Sequence, residues 1–410
     1  MNPRALSFTG GEGQGEGARP QHRLLLGGLL GAAALALLGG AFALDALQPL
    51  LRVAQPVGQL FLRVLIAVVV PLAVTSLVLA LADLDPRALG RLGGRALAFA
   101  AGSSAIAALI GLLLVTVIAP GRGVDPAVRG LSATTSLAAK PGPSPLTVSL
   151  VALVVASLGT GLALGRLRGA RALALRAAVE RVHGLSTRAS GLVMRLAPLG
   201  VGALLFAMAM RLGAGALRPV ATYVAVVIGG LLLHGGVVYA LAVRLFGGMS
   251  PTAFFRAAAP AMATAFATSS SAATLPTALR VAEERLRIPS AVARLVLTAG
   301  SAMNQNGTSL FEGVTVLFLA QVYGIDLSVL QQAGVMAIAV LAGVGSAGVP
   351  GGGTAAITIL LGLFGIPLEG VALVAGVDRL LDMCRTTVNV TGDLALAVVV
   401  AGTGTGGLEP

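Results

Sequence analysis

APAMATAFATSSSAATLPTAL, residues 259–279, is apolar at both ends and polar in the middle. A helix needs about 20 predominantly apolar residues to cross the hydrocarbon core of a bilayer, and this stretch is too interrupted for an ordinary span. It nevertheless belongs to a 410-residue chain that is 56% hydrophobic and only 11% charged, with mean hydropathy +0.93, which points to a polytopic membrane protein. Two more interruptions follow. Residues 288–322 form a long apolar segment broken by NQNGT at 304–308, and residues 329–364 one broken by GVGSAGVPGGGT at 343–354. The order is broken hairpin, interrupted helix, broken hairpin, polar helix, which reads as two repeats of a re-entrant hairpin plus a spanning helix. Non-helical backbone at membrane depth survives only where it is buried in protein or lines a cavity. Paired interruptions in corresponding places point to a solute site at an inverted-repeat interface. Small residues that only let helices pack closely would explain SSS or GGG alone. They do not explain both breaks together with an intramembrane Arg and several carboxylates.

The polar helix is VDRLLDMCRTTVNVTGD at 377–393, flanked by VALVAG and LALAVVVAG. Asp378, Asp382, Arg385, Asn389 and Asp393 are spaced by four, three, four and four residues, so all lie along one helix face. Charge is expensive in a bilayer, so such a stripe faces a protein interior or a solute pathway.

Upstream, the runs 24–44, 58–81, 97–119, 146–164, 192–210 and 220–243 are each long and apolar enough to span. Net charge is +12, but its distribution argues against nucleic acid. Lys140 is the only Lys, and the arginines concentrate in alternate loops: Arg4, Arg19 and Arg23 before the first span, Arg87, Arg91 and Arg95 after the second, six from Arg166 to Arg188 between the fourth and fifth, and Arg244 and Arg256 after the sixth. The positive-inside rule then places the N-terminus in the cytoplasm. Residues 1–23 read as a disordered cytoplasmic tail, and the run from Leu24 is too long for a signal-peptide core. One cysteine, Cys384, excludes an internal disulfide.

Four signatures in order, TSSSAATLP at 268–276, NQNGT at 304–308, GSAGVPGGG at 345–353 and DMCRTTVNVTGD at 382–393, together with GQLFLRVLIAVVVPL at 58–72, resemble the glutamate/aspartate transporter family, the dicarboxylate/amino acid:cation symporters. The resemblance covers roughly residues 24–405. It implies an all-α polytopic membrane protein of eight transmembrane helices and two re-entrant helical hairpins, with inverted repeats and elevator-type motion. It implies scaffold helices at 24–94 and 145–215. The transport domain would comprise a third helix at 95–120 and residues 216–403. It further implies a homotrimer in a cell (inner) membrane, multi-pass, with both termini cytoplasmic, surrounded by lipid. No cofactor is implied beyond Na⁺ and H⁺ as coupling ions.

Residue by residue, the resemblance makes Arg385 the partner of the substrate's side-chain carboxylate, which a guanidinium binds bidentately. Asp382 would accept the α-amino group. Thr308 and Asn389 would take the α-carboxylate region, with backbone at Ser270, Ser271 and Val349 to Gly353 closing over it and Thr386 among the substrate-binding residues. An Asp382–Arg385 salt bridge that only neutralises buried charge is the alternative. Keeping both residues points to L-glutamate or L-aspartate, with a C4-dicarboxylate or neutral amino acid as the other substrate classes of such transporters. One methylene separates glutamate from aspartate, worth about 1–3 kcal/mol in a pocket, so the sequence leaves that choice open.

For cations, the resemblance implies a first Na⁺ site of Gly300, Asn304, Asn389 and Asp393, and a second, mainly backbone site of Ser301, Ala302, Gly343, Val344 and Ser346. A third would use Ser103, Ser104 and the position of Asn306, where the family's pattern has Asp. That substitution removes a formal charge, and Gln305 stands where the pattern has Met. Glu312 lies eight residues after Asn304 in apolar sequence. Desolvation favours the neutral form of a carboxyl, and proton-coupled relatives carry Glu here, so Glu312 reads as a proton carrier or as a structural group bonded across helices. Asp378 reads as structural. An intramembrane hydrolase lacks a His or Lys base in the interrupted segments. A channel is the third class, and a buried Arg–Asp pair suits occlusion of a solute better than a pore.

Overall fold

The computed structural model describes residues 48–82, 90–124, 156–157, 159–167, 169–196, 199–200, 202–203, 206–207, 217–345 and 352–402. These residues are mostly helical, with no strand among them. The expected tail at 1–23, the first span at 24–44 and most of 146–164 lie outside the described residues.

The first described helix, α1 (Gln48–Ala82), has 35 residues, about 52 Å at 1.5 Å per residue, and includes the expected second span. Pro71 lies inside it, and Thr75 Oγ1 donates to the Pro71 carbonyl at 2.8 Å. Next comes α2 (Gly90–Ile118). Residues between the expected fourth and fifth spans form α3 (Ala170–Arg195), so the arginines there sit on a helix rather than on an irregular loop. Its alanines and leucines favour helix, and Arg176 pairs with Glu180 one turn on at 2.9 Å. α3 packs against α1, and Thr75 Oγ1 and His183 Nδ1 meet at 3.3 Å between them.

The expected sixth span is α4 (Leu217–Leu233), a π turn (His234–Val238) and α5 (Tyr239–Leu245) in continuous succession. The three interruptions then appear as helix breaks. α6 (Pro251–Thr268) and α7 (Ser271–Arg280) pack on each other across a break at Ser269, which is left-handed at φ 51°, and Ser270, whose Oγ caps α7 by accepting from Ala273 N–H. α8 (Ser290–Met303) and α9 (Asn306–Val322) break at Asn304 and Gln305. α10 (Val329–Gly345) and α11 (Gly352–Leu363) flank residues 346–351, which are outside the described set. The polar stripe lies on one unbroken helix, α12 (Val371–Gly402).

Two apolar clusters organise these helices. One joins α2, α4, α9, α10, α11 and the first half of α12 through Val115, Val226, Phe311, Phe318, Leu360 and Leu381. The other joins α5, α6, α7, α8 and the second half of α12 through Tyr239, Phe254, Val296, Leu297 and Val390. α12 therefore belongs to both, and its polar stripe falls where one gives way to the other. α9 is buried on nearly every side, as expected of a helix that is apolar all round. The outer faces carry exposed Leu109, Leu113 and Val117 on α2, Leu232 and Leu241 on α4 and α5, and Val329 and Leu330 on α10. In water such rows would drive association; against lipid they are at home.

Candidate functional site

Two polar clusters line the stripe. The first is ionic. Arg385 and Asp382 are both buried, and Nε and Nη2 of the guanidinium each reach Asp382 Oδ1 at 2.9 Å. Nη1 lies 3.6 Å from Asp378 Oδ1 and makes no hydrogen bond to the described residues. The Phe311 ring lies under the guanidinium at 4.3 Å, a cation–π contact. Gly353, in the first turn of α11, covers it: a Cβ there would lie 2.5 Å from Nη1. Asp378, read from sequence as structural, is thus part of the arginine's surroundings. Thr386 is buried next to Arg385.

The second cluster is neutral apart from Asp393 and sits at the α8–α9 break. The helix that restarts at Asn306 exposes its first N–H groups, and Asn389 caps them from across the interface. Its Oδ1 accepts from Gly307 N–H at 2.8 Å and Thr308 N–H at 3.4 Å. A Cβ at Gly307 would meet the Arg385 carbonyl at 2.7 Å, so only glycine lets the two backbones approach this closely. Asn389 Nδ2 donates to Gln305 Oε1 at 2.7 Å and Thr308 Oγ1 at 2.8 Å, and Thr308 Oγ1 donates to the same Gln305 oxygen at 3.1 Å. Gln305 therefore occupies both polar groups expected to receive the α-carboxylate.

Asn304 Nδ2 donates to Asp393 Oδ1 at 3.2 Å. This fixes the Asn304 amide, whose Oδ1 then accepts from Asn306 Nδ2 at 2.8 Å. Asn306 Nδ2 also faces Ser103 Oγ at 2.8 Å and Tyr239 OH at 3.0 Å, and its Oδ1 accepts from Ser104 Oγ at 2.7 Å. The amide nitrogen thus stands amid three oxygens. Gly300, Ser301 and Ala302 are in the last turn of α8, where carbonyls lack intrahelical donors. Gly343 is packed so closely that a Cβ would lie 2.6 Å from Ser309 Oγ and 3.4 Å from Gln305 Cβ; Val344 follows it in α10. Ser346 and Val349 lie outside the described residues.

The match to the model of the sodium:dicarboxylate symporter family extends over residues 23–403. This chain belongs to that family. It is similar to the proton/glutamate-aspartate symporter of Escherichia coli (strain K12), at 32% identity over 84% of each chain. It is 30% identical to a proton/sodium-glutamate symport protein of Bacillus caldotenax over 85% of this chain and 87% of that one. With human excitatory amino acid transporter 2 the identity is 29%, over 84% of this chain and 74% of the relative. The chain is therefore a membrane transporter rather than an enzyme.

Within this family member the expected residues do not all converge. Arg385, Asp382, Gly353 and Phe311 meet, as do Asn304, Asn306, Ser103, Ser104, Asn389, Thr308 and Asp393. Among the described residues Ser270 bonds within its own break, to Thr268, Ala273 and Thr274. Ser271 is buried at the start of α7. Glu312 is fully buried, and neither carboxyl oxygen has a hydrogen-bond partner among the described residues.

Sequence reasoning missed Tyr239 and His234. The imidazole Nε2 lies 3.3 Å from Ser103 Oγ, and its ring meets Tyr239 edge-on at 4.8 Å. A His and a Tyr inside one apolar span were the available signal.

Proposed function

We propose that this chain is a secondary active symporter that imports L-glutamate or L-aspartate across the cell membrane, driven by Na⁺ with H⁺ as second coupling ion. The observation that carries the reading is the Arg385 guanidinium, buried, braced by Asp382 and Phe311, with Nη1 unbonded beneath Gly353. An anion placed there gains charge-assisted bonds in a dry site, and a neighbouring carboxylate suits an ammonium on the same solute. The names of the relatives, symporters of glutamate and aspartate with protons or sodium, support it.

On this reading the helix pairs α6–α7 and α10–α11 are the two re-entrant hairpins, and Gly353 belongs to the gate that lifts from Arg385. The substrate's side-chain carboxylate takes Nη1, its amine takes Asp382, and its α-carboxylate displaces Gln305 from Thr308 and Asn389. Backbone at Ser270, Ser271 and Val349 closes the site from either side. Na⁺ binds among Gly300, Asn304, Asn389 and Asp393, and at a second site of Ser301, Ala302, Gly343, Val344 and Ser346, while Glu312 carries the proton. α2, α4 to α12 move together as the transport domain against a scaffold of 24–94 and 145–215, in a homotrimer with both termini cytoplasmic.

The test is uptake of labelled L-glutamate and L-aspartate into proteoliposomes under separately imposed Na⁺ and H⁺ gradients. Accumulation above the outside concentration, requiring a cation gradient, is expected. Uptake of succinate but neither amino acid, or simple equilibration, would refute the reading.

A further inference from the structure

Asp382 has two oxygens, and they are treated differently. Oδ1 receives both Nε and Nη2 of Arg385 at 2.9 Å. Oδ2 faces Arg379, whose Nη1 stands 3.7 Å away. The two arginines are held unlike each other. Arg385 is 4% exposed and enclosed by Phe311 and Gly353, whereas Arg379 is 24% exposed and its buried Nε donates no hydrogen bond. Asp378 and Asp382 carry two negative charges, Arg379 and Arg385 two positive ones. The set is balanced with nothing bound, and Arg379 is its loosely held member.

An ammonium arriving at Asp382 finds Oδ1 already engaged, so its seat is Oδ2. We propose that Arg379 is the placeholder cation of the empty carrier, occupying the oxygen of Asp382 that the substrate's amino group takes and leaving toward solvent when it binds. This rests on the amino-acid reading given above. Without Arg379 the empty site would hold two carboxylates against one guanidinium, an excess charge that is costly to carry through a low-dielectric layer. With it, these four side chains cross as a neutral set. The same residue competes with the substrate's amine, so it weakens binding while it speeds return of the unloaded carrier.

The experiment compares wild type, Arg379→Gln and Arg379→Lys, each purified in nanodiscs for calorimetric binding of L-aspartate, L-glutamate and succinate, and in proteoliposomes for exchange and for net uptake. Arg379→Gln is expected to bind the amino acids about fivefold tighter, the scale of a partly exposed ion pair. Succinate, which has no amine, should bind more weakly. Net uptake should fall severalfold while exchange persists. Arg379→Lys should keep the exchange-to-uptake ratio within about twofold of wild type, because it keeps the cation. Unchanged amino acid affinity with an unchanged ratio in Arg379→Gln would overturn the proposal, as would equal tightening for succinate. Should the glutamine variant fail to fold, loss of net uptake with retained exchange in Arg379→Lys would overturn it instead. Wild type that binds neither amino acid would remove the functional reading and this inference together; wild type that binds, with indifferent variants, removes only the inference.

Discussion

Asn306→Asp should convert a self-satisfied polar cluster into a cation site. Asn306 Nδ2 donates toward Ser103 Oγ, Tyr239 OH and Asn304 Oδ1 at 2.8, 3.0 and 2.8 Å. A carboxylate oxygen in its place keeps two of these contacts, because the Ser103 and Tyr239 hydroxyls can turn to donate. It cannot keep the third. Asn304 directs its Nδ2 to Asp393 at 3.2 Å, so its Oδ1 meets the introduced oxygen acceptor to acceptor. An unsatisfied buried group costs about 1–3 kcal/mol, and desolvating an unpaired carboxylate raises the total to several kcal/mol. For a chain of this size that is a fall in Tm on the order of 5 °C in choline buffer. Hard cations take oxygen ligands, and Na⁺ at this spot would turn every one of those contacts into coordination. Saturating it at a hundred times its Kd should return about 2.7 kcal/mol. The assay is thermal unfolding against Na⁺ at constant ionic strength, with the Na⁺-to-substrate ratio taken from reversal potentials in proteoliposomes. A larger Na⁺-dependent rise in Tm than wild type, and one more Na⁺ per substrate, are expected. A variant as stable as wild type in choline, with the same Na⁺ dependence, would refute the reasoning.

Arg385→Cys should abolish acidic amino acid uptake and leave neutral amino acids as the accepted class, read by substrate competition; unchanged aspartate affinity would contradict the role given to the guanidinium. Glu312→Gln, which fixes a neutral amide where both carboxyl oxygens lack partners, should retain exchange but lose internal acidification during uptake; equal acidification would leave Glu312 a structural group. Gly353→Ala places a methyl 2.5 Å from Arg385 Nη1, and it should weaken substrate affinity by about tenfold, a loss of about 1.4 kcal/mol, measured by calorimetry, while leaving Na⁺-dependent stabilisation intact.

Much of the arrangement was legible because it is written in local pattern. The breaks at 269–270 and 304–305 fall inside the polar interruptions of apolar runs, and the stripe from Asp378 to Asp393 follows helix periodicity on one unbroken α12. What stayed hidden depends on pairing at long range. Tyr239 reaches Asn306 from 67 residues away, and nothing in either segment announces the other. The bonds of Gln305 to Thr308 and Asn389 likewise appear only once α9 and α12 are packed. The helix at Ala170–Arg195 was obscured for another reason: dense charge suggests a connector, yet Ala, Leu, Arg and Glu are all good helix formers. Arg379 faced Asp382 at a spacing of three all along, and its neighbour Asp378 drew attention away from it.

The π turn at His234–Val238 has a consequence for how span and site are phased. Tyr239 N–H bonds to the His234 carbonyl, five residues back. On a regular α-helix residues five apart point about 140° away from each other, and the single wide turn brings their rings edge to edge at 4.8 Å. Both then reach Ser103 and Asn306 from one side of the span. The turn acts as a one-residue phase shifter: across it five residues turn the chain about as far as four do in a regular α-helix. A continuous α-helix carrying the same residues would rotate everything C-terminal to His234 by about 100°, swinging the Tyr239 hydroxyl away from the Asn306 amide. The alignment of this span with the polar cluster is thus set by a count of residues per turn: the wide turn takes up one residue more than an α-helix would, and closing it with every residue kept would lose the alignment.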